Sequence, residues 1–170
     1  MLQPVVTGLY AIPGSIINNH VVRETDDGNA QAFIAAFDLD WTIIRSVHGR
    51  FQKSADDWAF LPNRISTLKG YRDAGYTLAI FTNQGYTGAK LTIALNRVSN
   101  VISAMNREGI TPWVVASTGK DMYRKPNTGM WQVLEQSIPS IDKTKSFYCG
   151  DAAGRPGDHS DSDKMFATNI

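Results

Sequence analysis

Two carboxylates, Asp38 and Asp40, follow the short apolar run 32–37 and are separated by one residue. Such a run predicts a strand buried on both faces. Because a carboxylate is costly to bury, we expect the pair at the open carboxyl end of that strand. One carboxylate can attack a phosphorus atom while the other carries protons. The alternative is a plain turn, since Asp is a common turn residue.

Three later segments, 81–84, 123–126 and 149–155, also carry polar residues suited to phosphate chemistry, and the first and last of them end apolar runs. Parallel strands present their carboxyl ends at one edge of a sheet, where ligand crevices lie. We therefore expect Thr82 and Asp151 beside Asp38, with Lys125 reaching them from a connection. This convergence favours catalysis over a set of unrelated turns.

Apolar spacing predicts the elements that hold these residues. Strands are predicted at 32–39, 77–81, 113–116 and 146–149, with another near 9–12 before a break at 13–14 and a turn at 26–29. Helices are predicted at 65–71, closed by Gly75, at 91–105, ended by Gly109, and at 130–134. Ser160 and Asp163 have capping-box spacing before a last short helix. The alternation indicates an α/β fold with a Rossmann-like parallel sheet, right-handed crossovers and helices on both faces.

Length and composition limit the class of protein. The chain has 170 residues, a formal net charge of +1 and 19% charged residues, which indicates one domain over 1–170 and excludes a general polyanion-binding protein. Cys149 is the one cysteine of the sequence, so no intrachain disulfide can form and no zinc-binding pattern of paired cysteines is present. Cys149 is predicted to be a core residue. Without a ~20-residue apolar stretch or a signal peptide, we expect a soluble intracellular protein with no membrane contact.

Asp38, Thr82, Lys125 and Asp151 complement one another chemically. A carboxylate that attacks a phosphate dianion meets like-charge repulsion, which Mg²⁺ can relieve because it binds carboxylates, phosphate and water. Asp38 and Asp151 are the expected ligands. Lys125 adds a fixed positive charge, and the Thr82 hydroxyl can bind phosphate oxygens. Asp40 would protonate the leaving alcohol and then activate water.

These motifs, in this order, resemble the haloacid dehalogenase superfamily of aspartate-nucleophile phosphatases. The more specific blocks resemble the 3′-phosphatase domain of polynucleotide kinase/phosphatase and lie at 37–40, 57–58, 81–84, 123–131, 150–155 and 158–163. The resemblance extends from about residue 9 to the end of the chain. It implies a Mg²⁺-dependent polynucleotide 3′-phosphatase that acts on DNA ends through an aspartyl-phosphate intermediate, in strand-break repair.

The resemblance also implies a role for individual residues. Asp38 would be the nucleophile and Asp40 the acid/base, while Thr82 and Lys125 would hold the phosphate. The implied metal-site acids are Asp38, Asp40, Asp151 and Asp163. The predicted substrate-binding residues are Asn83, Arg124 and Arg155, the two arginines because they flank the catalytic motifs. Asp158 competes with Asp163 for the supporting role at the metal.

The surroundings of the crevice bear on the substrate. Trp41 stands where the family usually has Gly, and would either reshape the crevice mouth or stack on a neighbouring loop. No insertion large enough for a cap domain follows Asp40, and an uncovered crevice suits a macromolecular partner, namely nucleic acid with a 3′-phosphate end. Basic residues of the segment 43–58 would add backbone contacts. Trp58 and Trp131 could stack on bases, with buried packing favoured for Trp131.

Two other functions stay open on the sequence. A small-molecule phosphatase of the same superfamily, acting on histidinol phosphate or a sugar phosphate, would share these motifs, although its relatives often carry a zinc-binding Cys cluster that this chain lacks. An inactive module that binds nucleic-acid ends would not need the acid/base Asp40. No P-loop motif Gly-x-x-x-x-Gly-Lys-Ser/Thr occurs in the sequence, so a kinase half is not expected.

Overall fold

The computed structural model describes residues 3–6, 9–11, 23–24, 30–138 and 140–170. The break expected at 13–14 and the turn expected at 26–29 lie outside these residues, as does residue 12 at the end of the first expected strand. Within the described ranges, no helix is both long enough and apolar enough to cross a membrane.

A sheet of six described strands forms the centre of the molecule, in the order β1-β2-β9-β8-β5-β10. The described strands are β1 (Gln3–Val6), β2 (Leu9–Ala11), β3 (Arg23–Glu24), β4 (Ala30–Gln31), β5 (Ile34–Phe37), β6 (Ile44–Arg45), β7 (Ala59–Phe60), β8 (Thr77–Asn83), β9 (Trp113–Ser117) and β10 (Phe147–Cys149). β9, β8, β5 and β10 run parallel, while β2 joins β9 antiparallel and β1 joins β2. The parallel centre confirms the predicted fold class.

Helices occupy connections between the parallel strands. Those of the described chain are α1 (Arg64–Asp73), α2 (Gly88–Arg107), α3 (Gly129–Ser137) and α4 (Ser162–Asn169), with a 3-10 turn at Lys143–Lys145. Gly75 and Gly109 follow α1 and α2 with φ of 87° and 75°. Gly adopts this left-handed conformation without strain and ends helices there. Both predicted helix ends are therefore confirmed.

The capping box predicted for the last helix is wrong. Asp161 is the N-cap residue of α4 and makes no side-chain cap hydrogen bond. Asp163 is buried, and its Oδ2 accepts a hydrogen bond from the Ala152 N–H at 3.0 Å. The carboxylate that the spacing assigned to a helix cap instead faces the loop after β10.

Each face of the sheet carries a packed core. Alternation along β5 places Ala35 and Phe37 against α1 and α2, and Ile34 and Ala36 against α3 and α4. Core side chains from the helices are Leu68, Val98, Ile102, Met105, Met130, Trp131, Leu134 and Phe166. Helices therefore cover both faces, as predicted. Trp131 is buried as expected, and Trp58 packs edge-on against the Phe60 ring at 5.1 Å.

The prediction that Cys149 is a core residue is wrong, because its side chain is exposed. β10 pairs with β5 along one edge and stands last in the order of the described sheet. Phe147 and Tyr148 pack against the two cores. Cys149 is the final residue of the strand, where the edge of the sheet opens to solvent.

Candidate active site

The strand registers bring the polar motif residues to one edge of the sheet. Phe37 of β5 aligns with Ile80 of β8 and with Cys149 of β10, so the segments that follow these strands meet at one level. A crevice of about 570 Å³ opens there. Its lining includes Asp38, Asp40, Trp41, Arg50, Phe51, Thr82, Asn83, Arg124, Lys125, Asp151 and Asp163.

Lys125 is a buried cation of this crevice. Its Nζ donates to Asp38 Oδ1, to Asp163 Oδ1 and to the Tyr148 hydroxyl, each at 2.8 Å. Burial lowers the pKa of a lysine, but the two carboxylates outweigh it and hold the pKa of Lys125 above its usual range. We call Lys125, Asp38, Asp163 and Tyr148 the lysine cluster. Its ammonium group stays charged at neutral pH.

Asn83 fixes the backbone of Lys125. Its Oδ1 accepts a hydrogen bond from the Lys125 N–H at 3.0 Å, and its Nδ2 donates to the Lys125 carbonyl at 3.3 Å. The preceding Thr82 is buried, and its Oγ accepts a hydrogen bond from Gln84 Nε2 at 2.8 Å. The amide expected to bind substrate is therefore engaged on both sides in holding the lysine.

Carboxylates outnumber cations beside Lys125. In the described part of the chain, ligand oxygens of Asp38, Asp151 and Asp163 lie within 4.8 Å of one another. Burial raises the pKa of the Asp38 carboxyl, and Asp163 adds to this against the opposing Lys125, so that the pKa reaches about 8. The donor atoms are all oxygens and carry excess negative charge. They fit a hard divalent cation such as Mg²⁺.

The last motif contributes Asp163 to this cluster. A Cβ atom at Gly150 would overlap the Asp163 carboxyl, so the glycine permits the close approach. Asp158 instead accepts hydrogen bonds from Arg155 Nε at 2.9 Å and from the Arg155 N–H at 3.0 Å. Arg155 Nη2 also donates to the Asp151 carbonyl at 3.0 Å. The Arg155 guanidinium therefore lies on the turn that carries Asp151 and braces this loop, and the substrate contact expected of Arg155 stays a prediction.

Asp40 is held by a buried arginine that the sequence analysis missed. Arg97 of α2 is fully buried, and its Nη1 donates to Asp40 Oδ1 at 2.7 Å. Gln84 Nε2 donates to Asp40 Oδ2 at 3.0 Å. The Asp40 carboxylate lies outside the acidic cluster found among the described residues, and the part expected of Asp40 in the metal site stays a prediction. Arg97 stands between Ala94 and Val98 in the apolar stripe of α2, and a charge in such a stripe indicates a buried partner.

The crevice loop, residues 46–57, is organised around the buried carboxylate of Asp57. Its Oδ1 accepts hydrogen bonds from the N–H groups of Val47 at 2.8 Å and His48 at 3.0 Å, and its Oδ2 accepts one from the Lys53 N–H at 2.9 Å. Burial works against ionisation, but these backbone donors hold the pKa of Asp57 below its usual range. The loop that brings Arg50 to the crevice is therefore fixed from inside.

Two exposed aromatic side chains stand at the crevice mouth. Trp41 is 43% exposed and Phe51 is 66% exposed, and both line the crevice together with Arg50 and Arg124. Trp41 has a φ of 63°, a left-handed conformation that disfavours any residue with a Cβ atom. This backbone explains why a Gly is suited to the position. Trp41 therefore lies at the mouth, and which of the two effects expected of it applies stays a prediction.

Comparison with known proteins relates these motifs to a family. The family model described as Polynucleotide kinase 3 phosphatase matches residues 33–170. An uncharacterized 20.8 kDa protein of Autographa californica nuclear polyhedrosis virus is 42% identical over 154 residues, which cover 85% of this chain and 82% of that protein. The bifunctional polynucleotide phosphatase/kinase of Schizosaccharomyces pombe is 38% identical, with 79% of this chain and 34% of that protein covered. The polynucleotide 3′-phosphatase of Arabidopsis thaliana is 37% identical, with 86% of this chain and 24% of that protein covered. The chain thus spans well under half the length of the Schizosaccharomyces pombe and Arabidopsis thaliana relatives.

Solved structures share the fold at low sequence identity. A HAD-like phosphatase from Mesorhizobium loti superposes with a TM-score of 0.68 at 18% identity, covering 98% of this chain and 79% of that one. The D,D-heptose 1,7-bisphosphate phosphatase of B. bronchiseptica, solved with magnesium and phosphate, gives a TM-score of 0.51 at 21% identity and covers 61% and 62%. The fold is that of the HAD-like phosphatases.

Proposed function

We propose that this chain, which belongs to the polynucleotide kinase 3 phosphatase family, removes the 3′-phosphate from nucleic-acid ends. It is an enzyme of the phosphoric monoester hydrolase class. DNA ends at strand breaks are the proposed substrate, and residues 1–170 form the proposed phosphatase domain. The observation that carries the proposal is the pairing of Asp38 with Lys125 in an open crevice. A second fixed carboxylate, that of Asp40, follows Asp38 by two residues.

The first step transfers the phosphoryl group to the enzyme. A carboxylate oxygen of Asp38 attacks the phosphorus, and the bond between phosphorus and O3′ breaks. Asp40 gives its proton to the departing oxygen, which leaves as a 3′-hydroxyl. Lys125 and the Thr82 hydroxyl bind the phosphoryl oxygens on which charge accumulates. The products are a free 3′-hydroxyl end, ionised Asp40 and an aspartyl-phosphate on Asp38.

The second step returns the enzyme to its starting state. A water molecule attacks the phosphorus and gives its proton to Asp40, while the bond between phosphorus and the Asp38 oxygen breaks. Inorganic phosphate leaves, the Asp38 carboxylate is regenerated, and Asp40 is protonated again. One carboxyl therefore acts as acid and then as base, and both steps depend on its orientation.

Asp38, Asp151 and Asp163 would hold a divalent cation, for which we propose Mg²⁺. When bound, the ion supplies positive charge that offsets the repulsion between an attacking carboxylate and a phosphate dianion. The solved heptose bisphosphate phosphatase that contains magnesium and phosphate shares the fold, which supports this assignment. Asp40 is left out of the proposed ligand set because its carboxylate lies outside the acidic cluster of the described residues.

The crevice mouth suits a nucleic-acid strand. Arg50 and Arg124 line it beside the exposed rings of Trp41 and Phe51. Such cations bind backbone phosphates, and aromatic faces stack on bases. Contacts remote from the phosphorus can be used to orient the terminal phosphate for attack by Asp38.

A comparison of three substrates tests the proposed function. We expect kcat/KM for an oligonucleotide with a 3′-phosphate to exceed, by at least about 10²-fold, the values for its 5′-phosphorylated counterpart and for histidinol phosphate. The oligonucleotide value should fall with added salt, because the strand contacts are ionic. Equal efficiency on histidinol phosphate would favour a small-molecule phosphatase. Binding of the 3′-phosphorylated strand without turnover would favour an end-binding module.

A pair of arginine variants tests the strand contact. Arg124→Ala should lower kcat/KM for the oligonucleotide about tenfold more than for p-nitrophenyl phosphate, because a single lost charge contact costs about 1 kcal/mol or more. Arg155→Ala is the matched control, since its guanidinium pairs with Asp158, and it should change both substrates by the same factor. The reverse pattern would restore Arg155 as the strand contact and remove Arg124 from that role.

A further inference from the structure

Arg97 is a buried cation to which the proposed reaction gives no role. Its side chain is fully buried, and a guanidinium removed from water must be paired to be tolerated. Nη1 donates to Asp40 Oδ1 at 2.7 Å, Nη2 to Ser46 Oγ at 3.2 Å and Nε to the Asp57 carbonyl at 2.9 Å. We call Arg97, Asp40, Gln84, Ser46 and the Asp57 carbonyl the arginine cluster. It connects α2, the acid/base carboxyl and the crevice loop.

We infer that Arg97 is a positioning residue for Asp40. It fixes the carboxyl that gives a proton to O3′, and it ties the orientation of that carboxyl to the loop that lines the substrate crevice. The inference rests on the proposed function, because it assigns Arg97 its role through the acid/base step of Asp40.

The direction of the hydrogen bonds determines which oxygen of Asp40 can transfer the proton. Arg has donors and no acceptor, so Asp40 Oδ1 accepts from Nη1 and is engaged. The proton that moves to O3′ is therefore carried by Oδ2, which can still accept the hydrogen bond from Gln84 Nε2. Two donors on two oxygens remove the rotation of the carboxyl group about its own axis. An acid held in this way needs no reorientation before proton transfer.

The same guanidinium links Asp40 to the crevice loop. Ser46 and Asp57 are the first and last residues of that loop, and Arg97 contacts both. The loop also carries Arg50, and the Asp57 carboxylate fixes its backbone. A nucleic-acid strand that binds against this loop is therefore held in a fixed position relative to Asp40. A planar guanidinium with several donors in fixed directions suits this task, whereas a lysine can present only a point charge.

Leaving-group chemistry separates positioning of an acid from a simple role in the core. The 3′-hydroxyl of a strand is a poor leaving group and needs a proton, whereas p-nitrophenolate leaves without one. Loss of a positioned general acid therefore slows the first reaction and spares the second, when both are followed by kcat/KM, which ends at leaving-group release. Loss of core packing would slow both by the same factor.

The experiment compares Arg97→Lys and Arg97→Gln with wild type, all as full chains with Mg²⁺, on a 3′-phosphorylated oligonucleotide and on p-nitrophenyl phosphate. We expect Arg97→Lys to lower kcat/KM for the oligonucleotide by about 10- to 100-fold and to change the value for p-nitrophenyl phosphate less than about threefold. Asp40→Asn is the reference for full loss of the acid, with an expected oligonucleotide loss of about 10²- to 10⁴-fold. Ser46→Ala removes one contact of the guanidinium and leaves the bond to Asp40, so it should affect the two substrates equally.

Each outcome decides the inference. Equal losses on both substrates in Arg97→Lys or Arg97→Gln would overturn it while leaving the proposed function intact. Failure of both variants to fold, judged by circular dichroism, would assign Arg97 to the core and overturn it as well. If wild type does not release phosphate from the 3′-phosphorylated oligonucleotide, the proposed function itself fails, and the inference fails with it.

Discussion

The lysine cluster and the arginine cluster each contain a buried cation, yet their charge balance differs. Lys125 contacts two carboxylates, those of Asp38 and Asp163. Among the residues that the structure describes, Arg97 contacts one carboxylate, that of Asp40, and its other hydrogen bonds go to neutral oxygens. The first cluster carries excess negative charge, and the second is balanced.

This difference shows two ways of preparing a carboxylate for chemistry. In the lysine cluster, burial and a second carboxylate raise the pKa of Asp38 to about 8, so the nucleophile is poised to accept a further cation. In the arginine cluster, a fork of donors sets the direction of Asp40, and no further charge is needed. Burial and charge therefore set the pKa of Asp38 in the lysine cluster, whereas hydrogen-bond geometry sets the orientation of Asp40 in the arginine cluster.

The largest effect is expected when the lysine cluster loses its nucleophile. Asp38→Asn nearly conserves volume but cannot attack phosphorus, so turnover of a 3′-phosphorylated oligonucleotide should fall by about 10⁴-fold or more. The thermal melting curve should show an intact fold. Asp56→Asn, a change at an exposed carboxylate of the crevice loop, is the control and should retain activity. Activity within tenfold of wild type in Asp38→Asn would rule out an aspartyl-phosphate.

Removing each cation in turn tests whether the two clusters differ in charge. Lys125→Met should lower the free energy of unfolding in EDTA by about 3–5 kcal/mol, because the buried side chains of Asp38 and Asp163 lose their cation. Arg97→Met should lower it by less, because the Asp40 side chain is 30% exposed. Mg²⁺ should restore part of the loss in Lys125→Met, where acids converge, and none in Arg97→Met. Urea denaturation with and without Mg²⁺ measures this. Equal rescue of both variants would contradict the distinction.

The burial of Asp38 beside Asp163 also predicts a pH effect for the lysine cluster. With its pKa raised to about 8, Asp38 holds a proton at neutral pH in the metal-free protein, whereas the unfolded chain releases it near pH ~4. The contribution to stability is therefore complete below pH ~4 and lost as pH rises to about 8. Mg²⁺ must displace the same proton. Below pH 8, the Kd for Mg²⁺ should therefore fall by up to about tenfold for each unit by which the pH is raised.

Calorimetry in buffers of different ionisation enthalpy measures the proton released when Mg²⁺ binds. We expect release in wild type and in Arg97→Lys, whose change lies outside the acidic cluster. We expect no release from Asp38→Asn. A Kd for Mg²⁺ that does not change with pH would show that Asp38 is not a ligand.

The smallest effect is expected at Trp41, which lines the crevice mouth. Trp41→Gly should raise the free energy of unfolding by about 1 kcal/mol, because glycine adopts a φ of 63° without strain. Trp41→Ala removes the indole but keeps the strain, so it should not gain stability. If both variants lower kcat/KM for the oligonucleotide and spare p-nitrophenyl phosphate, the indole contacts the strand. Equal stability of the two variants would remove backbone strain from the explanation.

Asp38 and Lys125 of the lysine cluster, and Asp151 beside it, were within reach of sequence reasoning, because each follows an element with a clear pattern. Asp38 and Asp151 end apolar strands, and parallel pairing brings such ends together. Tyr148 was missed, and Asp163 was assigned to the metal site only through the family resemblance, because its spacing from Ser160 matched a capping box. The spacing of residues in the sequence does not predict that Gly150, which lacks a Cβ atom, leaves room for the Asp163 carboxyl at the crevice.

The arginine cluster was beyond the sequence reading because its members lie far apart in the chain and carry no joint motif. The Arg97 contact to Asp40 spans 57 positions. An arginine in an apolar stripe signals a buried partner but does not say which carboxylate it meets. The brace between Arg155 and Asp158 has the same origin, since a flanking position near a motif does not fix where a long side chain turns.

The most direct test of the account follows the pre-steady-state reaction of Asp40→Asn with excess p-nitrophenyl phosphate. This variant keeps Asp38 and Lys125, and p-nitrophenolate leaves without a proton, so the first step should proceed while the second lacks its base. The account predicts a burst of about one p-nitrophenolate per protein molecule, then slow turnover, with phosphate found on Asp38 by mass spectrometry after an acid quench. Turnover without a burst, or protein free of phosphate during that turnover, would contradict it.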